Sequence, residues 1–353
     1  MPVFETPSLQ SEGVKQEQGR EYIVESHEQA LLAVKSSLLN RLRARFSEQG
    51  EMPLDYHGPA HSLEVGGTTK AFLQKIRDID PELVSAEDVV LGELEGIAHD
   101  VVQEGVREEA KNLKRKVEYN EYASAAELLE EMGRYYYPDG SAVFPTKDEK
   151  FCNDIIDNIG TTIPEFAYAE LPDGSKGIRI SQKKLTKKSS LRALALASAD
   201  LRGEFMQKKE PASFFASGDA EFREISLPVR EDIGKGIGQI TPKRRAEIAT
   251  LILDWKHSQV GFVKRQKILF YESIEKNEAI AHSPKAEEIR KVLADMFSEF
   301  DTMREASEKL ASQLEEEYGK LRDPKEEQRL MDVKDDAFQR LLGEMGYTFT
   351  IKS

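Results

Sequence analysis

The chain has 353 residues, of which 39% are hydrophobic and 32% charged, enough for one large domain or two ordinary ones around a sizeable core. Its 64 acidic and 50 basic residues give a net charge of -14, which argues against general nucleic-acid binding or an anionic membrane surface as partner. The one cysteine, Cys152, excludes an internal disulfide framework and is compatible with a reducing cytoplasm. No run approaches the ~20 apolar residues of a membrane span, and Met1 to Arg20 contain no signal-peptide core. Composition therefore predicts a globular cytoplasmic protein.

The apolar pattern is helical along most of the chain and predicts a mainly α protein in three parts. Residues 1–25 are polar and aperiodic, which is typical of a flexible terminal segment. Residues 26–275 carry amphipathic helices and are assigned to one helical-bundle domain. Residues 276–353 form a helical C-terminal extension, whose heptad-like spacing predicts burial against the body of the domain or against a second subunit in a homodimer.

Individual helices follow from caps and apolar spacing. They are predicted from His27 to the Gln49-Gly50 turn, from Pro59, after Pro81 to Asp100, near Asn120, from Asp148 to Ile159, from Ser189 to Phe205, from Arg245 onward, from Pro284 to Leu321 and from Pro324 to Met345. The turn at Pro172-Asp173-Gly174 indicates a small loop or β-hairpin insertion. The glycine-rich run 231–245 matches neither a P-loop nor a dinucleotide fingerprint and is interpreted as a flexible connection.

A basic stretch from Lys176 to Arg192 contains no acidic residue, although the chain as a whole is acidic. Such a stretch is either a solvated loop or a rim that attracts phosphate. On the second interpretation, the substrate-binding residues are Lys183, Lys184, Lys187 and Lys188.

The pair His99-Asp100 closes a helix whose residues Val90, Leu94 and Ile97 follow one apolar face. An imidazole and a carboxylate at the end of a buried helix need partners, because an unpaired buried charge is costly. A bound cation would satisfy both.

Two further polar side chains occupy core-facing positions of predicted helices. His61 lies in the first turn of the helix that begins at Pro59, and Asp200 interrupts a small-residue face of the helix from Ser189 to Phe205. A hydrogen-bonded core histidine is the ordinary alternative for His61. Together, however, His61, His99, Asp100 and Asp200 offer a donor set that suits a divalent ion.

These residues, in this order and spacing, resemble the HD superfamily of metal-dependent phosphohydrolases. Tyr56-His57 followed by His61 is similar to the Tyr-His-Asn-x-x-His opening of the cyclic-nucleotide phosphodiesterase branch. The second and third segments and a following element are matched by Ala98-His99-Asp100, by Ser198-Ala199-Asp200-Leu201 and by Asn120-Glu121 with Ser124-Ala125. The resemblance covers roughly residues 30–270.

The resemblance implies that His61, His99, Asp100 and Asp200 hold a divalent metal ion, for which Mn, Fe, Mg, Zn and Ni all suit the donors. It implies that His57 is the general acid that protonates the leaving oxygen, while water activated by the metal attacks phosphorus. The implied function is hydrolysis of a phosphoester bond in a nucleotide or another small phosphorylated molecule.

Three positions bear on which branch the chain resembles. Gly58 replaces the asparagine of the phosphodiesterase opening, and Gln103 stands where that branch has another histidine associated with a second metal. The run from His99 to Glu104 is instead similar to the His-Asp-x-x-Glu-Asp segment of guanosine-tetraphosphate hydrolases. Glu104 would then orient the attacking water, unless it is simply an exposed residue past the helix end. Glu121 is either close to a second metal or on a helix surface.

Two other functions stay open at this point. One is a phosphodiesterase acting on cyclic or linear nucleotides. The other is a catalytically silent HD module whose C-terminal helices bind a partner.

Overall fold

The computed structural model describes residues 21–107, 113–116, 118–170, 176–207, 209–332 and 337–348, and it confirms a mainly helical fold. The helices are α1 (His27–Phe46), α2 (Pro59–Ile79), α3 (Ala86–Ala98), α4 (Tyr119–Met132), α5 (Glu149–Gly160), α6 (Leu191–Met206), α7 (Pro211–Ile225), α8 (Leu227–Lys235), α9 (Pro242–Lys276), α10 (Glu278–His282), α11 (Ala286–Asp295), α12 (Phe300–Tyr318), α13 (Pro324–Asp332) and α14 (Ala337–Glu344). The strands are β1 (Tyr22–Ile23), β2 (Gly105–Arg107), β3 (Leu113–Arg115), β4 (Tyr135–Tyr136), β5 (Glu165–Glu170) and β6 (Lys176–Ser181).

Local capping signals fix where the central helices begin. Gly58 is the N-cap of α2 and Pro59 its first residue, as the sequence predicts. Ser85 and Asp88 form a reciprocal capping box at the start of α3, with both backbone bonds at 3.0 Å. The Ser190 side chain accepts a hydrogen bond from the Ala193 amide at the start of α6.

The strands form three two-stranded sheets in the described ranges. Strands β5 and β6 are antiparallel, with Glu165 opposite Ser181, so the predicted insertion is a hairpin; its turn at 171–175 lies outside the described residues. Strand β1 pairs in parallel with β4, and the Tyr22 ring stacks on Tyr135 at 5.3 Å. The expectation of a flexible segment is therefore wrong for residues 21–25, because aromatic packing and backbone pairing hold this end, whereas residues 1–20 lie outside the described ranges.

Two expectations about the second half of the chain are wrong. The run 231–245 is not a flexible connection: helix α8 extends into it, a short 3-10 turn (Ile237–Gln239) follows, and α9 begins at Pro242. Ile233, Ile237 and Ile240 of this run are buried in a core cluster. The burial of these apolar side chains stabilises the ordered conformation of the run. The predicted helix from Pro284 to Leu321 is divided between α11 and α12 by a turn at residues 296–299, in which Met296 and Phe297 are buried. For the final predicted helix, from Pro324 to Met345, the structure describes α13 and α14, and residues 333–336 lie outside the described ranges.

The heptad-like residues of the C-terminal extension are used inside this chain. Ile289, Met296, Phe300 and Met303 belong to a buried cluster that also contains Phe72 of α2. Because this cluster also includes apolar residues of α6 and α9, the core includes side chains from both sides of residue 275. The apolar residues whose spacing suggested a second subunit are thus mostly buried in the core of this chain.

Helices α2 and α3 lie in direct backbone contact. A Cβ atom added at Gly96 would lie 2.7 Å from the Gly66 Cα, and one added at Gly66 would lie 2.8 Å from the Glu93 carbonyl oxygen. Only glycine permits such a close approach. The two helices run antiparallel, so this contact brings the start of α2, with His61, beside the end of α3, with His99.

We expect Gly96→Ala to lower the free energy of unfolding by about 1–3 kcal/mol, because the added methyl group must push the two backbones apart. Gly67→Ala is the matched control, since no atom lies within 4 Å of a Cβ added there. That neighbouring change should be neutral or should stabilise by up to about 1 kcal/mol through helix propensity. Urea denaturation measures both, and equal effects of the two substitutions would contradict the close contact.

None of the helices in the described ranges combines the length and apolar character needed to cross a membrane.

Candidate metal centre

Three helices bring their polar residues to one point in the core. His61 is the third residue of α2, His99 caps the C-terminal end of α3, and Asp200 lies in the middle of α6. Every residue from Leu91 to Asp100 is buried. The site is therefore enclosed by rigid helices rather than by loops, an arrangement that holds side-chain positions closely.

The donor atoms of these residues lie within a few ångströms of each other. His61, His99 and Asp200 each offer one atom, and these atoms all lie within 4.8 Å of one another. The Nε2 atom of His61 is 3.6 Å from both Asp200 Oδ1 and Asp100 Oδ2, and the Nε2 atom of His99 is 3.4 Å and 3.0 Å from the same oxygens. The structure thus brings together the four residues that the sequence assigns to a metal.

The hydrogen bonds of the two histidines suit a divalent cation. His99 Nδ1 donates to the Gly96 carbonyl oxygen at 2.7 Å, which directs the lone pair of a neutral imidazole to Nε2. Within the described part of the chain, neither His61 Nε2 nor His99 Nε2 has a hydrogen-bond partner, although both atoms are buried. Two ligand atoms bound to one cation at ~2.1 Å and at right angles lie about 3 Å apart, close to the observed separations. The residues present therefore fit a metal ion.

The local electrostatics favour positive charge at this point. Burial lowers the pKa of the His99 imidazole, but the carboxylates of Asp100 and Asp200 outweigh it and hold that pKa well above its usual value. Burial raises the pKa of Asp200, but the contacts with His61 and His99 bring it down to about 2. The two carboxylates are thus arranged to neutralise a cation or a proton between the histidines.

Gln103 orients one of these carboxylates. It is buried, and its Nε2 atom donates to Asp100 Oδ1, while Asp100 Oδ2 is the oxygen nearest to the histidines. The residue that stands in place of a second-metal histidine is therefore engaged in holding Asp100.

His57 lies next to the cluster, and a glutamate that the sequence interpretation missed positions it. The His57 and His61 rings are 5.8 Å apart, and the Tyr56 ring packs on His61 at 4.5 Å. Glu224 of α7 accepts a hydrogen bond from His57 Nδ1 at 2.5 Å and from the backbone amides of His57 and Tyr56 at 3.0 Å. Burial raises the pKa of Glu224, but the charge and hydrogen bonds of His57 outweigh it and bring it to about 2. The imidazole is thus held in one orientation through its Nδ1 atom.

A second set of contacts connects the loop that carries Asp55, Tyr56 and His57 to the C-terminal end of the chain. Arg223, the neighbour of Glu224, lies 3.5 Å from the Asp55 carboxylate and donates to the Met345 carbonyl oxygen at 2.5 Å. A Cβ at Gly346, where φ is +71°, would lie 2.8 Å from the Arg223 guanidinium. The loop that carries His57 is therefore supported by α7 and by the segment after α14.

The loop after Asp100 is held by the first turns of α4. The Ser124 hydroxyl accepts from the Val102 amide at 3.0 Å, and Asn120 makes two bonds with the backbone of Glu104 at 3.0 and 3.1 Å. The Glu104 carboxylate itself contacts Lys116 and the Tyr119 hydroxyl. Because the Glu104 carboxylate already has these two partners, the contacts do not favour its orienting the attacking water. That role stays a prediction. Glu121 is buried in α4 and is not a surface residue.

The predicted phosphate rim carries less available charge than the sequence suggests. Lys183 lies 3.7 Å from Glu165, Lys184 lies 3.5 Å from Glu118 and above the Tyr122 ring, and Lys187 lies 2.9 Å from Glu278. Lys188 is exposed. Three of the four ammonium groups thus have acidic partners, so substrate binding by this stretch stays a prediction.

A buried polar network supports the helices behind the site. Glu95 of α3 has no exposed surface and accepts from Arg192 of α6 at 2.9 Å and from Asn158 of α5 at 3.0 Å. Burial raises the pKa of Glu95 to about 7, although Arg192 and Asn158 act in the opposite direction. One carboxylate therefore connects three helices one turn before His99.

Sequence reasoning missed Glu224 and Arg223 because both act over long separations. Glu224 lies 167 positions from the histidine that it holds. The one available signal is a charged pair between Phe222 and Ile225 in an otherwise amphipathic helix, and that pattern is also typical of a solvated face.

Comparison of the chain with protein-family models, with curated proteins and with solved structures finds no match.

We expect Glu224→Gln to lower the free energy of unfolding by about 1–3 kcal/mol at pH 7, because it removes the negative charge beside His57 but keeps the shape. The folded pKa of about 2 is below the ordinary 4.5, so this stabilisation is present above pH 4.5 and is lost as the pH falls towards 2. Urea denaturation from pH 3 to 8 measures the difference. An exposed glutamate of α12, Glu316, gives the control Glu316→Gln, and an equal loss at pH 3 and pH 7 would contradict the pairing.

Proposed function

We propose that this protein is a metal-dependent phosphohydrolase of the HD type, acting in the cytoplasm on a phosphoester of a nucleotide or another small phosphorylated molecule. The observation that carries the proposal is the buried group formed by His61, His99 and Asp200, with Asp100 beside it. The Nε2 atoms of His61 and His99 are buried without a hydrogen-bond partner in the described ranges, which costs free energy that a cation would offset.

Different residues of the chain would bind the metal ion and transfer the proton. His61 and His99 would present Nε2, and Asp100 and Asp200 would present one carboxylate oxygen each, to a divalent ion. When bound, that ion supplies a water of lowered pKa as nucleophile and neutralises charge on the phosphoryl oxygens. Gln103 and the Gly96 carbonyl hold Asp100 and His99 in the orientation that binding requires.

His57 is suited to protonate the leaving oxygen. Its Nδ1–H is engaged by Glu224, so the proton delivered to the substrate would come from Nε2. Glu224 fixes the direction of the ring through Nδ1. This role requires the ring to lie next to the metal group, and the 5.8 Å between the His57 and His61 rings meets that requirement.

A nucleotide phosphodiesterase is the second candidate. The His57–Glu224 pair favours it to the same degree, because mono- and diesters both release an alkoxide that needs a proton. Hydrolysis of a panel of nucleotides, cyclic nucleotides and sugar phosphates, each with Mn, Fe, Mg, Zn or Ni, separates the two. A silent module that binds a partner would hydrolyse none of them.

We expect purified protein to bind about one divalent ion per chain, and expect His61→Ala and Asp200→Ala to abolish this binding. Metal at a hundred times its Kd should stabilise the wild type by about 2.7 kcal/mol and leave these variants unchanged. Elemental analysis and thermal unfolding with and without chelator measure both effects. The control is His282→Ala, an exposed histidine at the end of α10. Equal metal content in all four proteins would contradict the assignment.

For His57→Ala, turnover should fall by about a hundredfold to ten-thousandfold while metal content is unchanged, because general-acid catalysis is lost but the ligands stay. Steady-state hydrolysis of the best substrate from the panel measures turnover. A fall in metal content together with activity would instead place His57 among the ligands.

A further inference from the structure

Arg202 is a buried cation with little to compensate it. Its side chain belongs to α6, it is 3% exposed, and Nη1 donates one long bond, 3.3 Å, to the Ala197 carbonyl oxygen. In the described ranges Nε has no hydrogen-bond partner, and the carboxylate that attracts the guanidinium is that of Asp200, with which Arg202 forms no salt bridge. Buried arginines are ordinarily paired, because an uncompensated charge in the interior is strongly unfavourable.

Two neutral side chains with unused polar atoms lie nearby, one at the same carbonyl and one on the same face of α6. Gln182, which follows β6, donates from Nε2 to the Ala197 oxygen at 2.8 Å, so its amide and the Arg202 guanidinium share one acceptor. In the part of the chain that the structure describes, Gln182 Oε1 and Ser198 Oγ have no hydrogen-bond partner. Both residues are more than nine-tenths buried. Ser198 and Arg202 are four residues apart on α6 and therefore share a face.

The donors in this group match an oxyanion. A guanidinium offers planar paired N–H groups to a phosphate or carboxylate, a serine hydroxyl offers one more donor, and the Gln182 oxygen can accept from a protonated oxygen of the ligand. We propose that Arg202, Ser198 and Gln182 form a buried site for an anionic oxygen group, a phosphate or a carboxylate. A bound anion would supply the charge compensation that the guanidinium lacks.

None of Arg202, Ser198 and Gln182 is a proposed metal ligand, although Asp200 attracts the Arg202 guanidinium. Arg202 and Ser198 are each two residues from Asp200, which places their side chains about 200° around α6 from the metal-facing side. The proposal does not rest on hydrolytic activity and holds for metal-free protein.

The test measures phosphate binding by the full-length chain after chelator treatment, using calorimetry and thermal unfolding with inorganic phosphate, and acetate in parallel. We expect one anion per chain, and expect Arg202→Gln to weaken its binding by about tenfold to a hundredfold, the loss expected for a charge-assisted hydrogen bond. Ser198→Ala should weaken it less. Arg43→Gln, at an exposed arginine of α1, should bind as the wild type does.

Two further variants test whether the anion binds at Arg202 or at the proposed metal ligands. Arg202→Met removes the charge at similar length, and its melting temperature should not respond to either anion. His61→Ala removes a proposed metal ligand, and its response to phosphate should equal that of the wild type. The site is overturned if neither anion binds the wild type, or if phosphate binding is lost in His61→Ala and kept in Arg202→Gln, which would place the anion at the metal group.

Discussion

The backbone contact between α2 and α3 at Gly66 and Gly96 sets the geometry on which the site depends. Each histidine lies within about one and a half turns of this contact, His61 before Gly66 and His99 after Gly96. The 5.4 Å between their rings is therefore largely determined by how closely two helix axes approach. Any side chain larger than hydrogen at the contact would separate the axes, and the donor atoms would move apart with them.

Charge compensation explains most of the remaining polar contacts in the core. Asp100 and Asp200 concentrate negative charge at the histidines, Glu224 does the same for His57, and Glu95 is balanced by Arg192. Around the proposed metal ligands the partners are dipoles or charged side chains held in helices or at helix ends, so their orientation is determined before any ligand binds. Pre-organised groups of this kind act more strongly than mobile ones because no reorganisation is needed when charge develops.

Sequence alone identified the elements whose signals are local. The Gly58-Pro59 start of α2 and the apolar period of α3 are short-range patterns, and they place His61 and His99 correctly on their helices. The contacts that depend on tertiary packing were not predictable in this way. Glu224 lies 167 positions after His57 in the sequence. The residues on either side of Glu224 do not distinguish it from a glutamate on a solvated helix face. The break between α11 and α12 was missed because Ile289, Met296 and Phe300, on both sides of it, keep helical spacing, so the apolar pattern gives no sign of the turn.

The C-terminal helices belong to the same physical unit as the proposed site. Helices α11 and α12 fill the core that α2 also lines, so removing them would expose Phe72 and its neighbours to water. The segment after α14 contacts Arg223, which in turn lies against Asp55, two residues before His57. The contacts that hold the C-terminal end therefore also support the loop that carries His57. A boundary at residue 275 lies at the end of α9 along the chain, but the buried cluster to which α2, α6 and α9 contribute also includes side chains of α11 and α12.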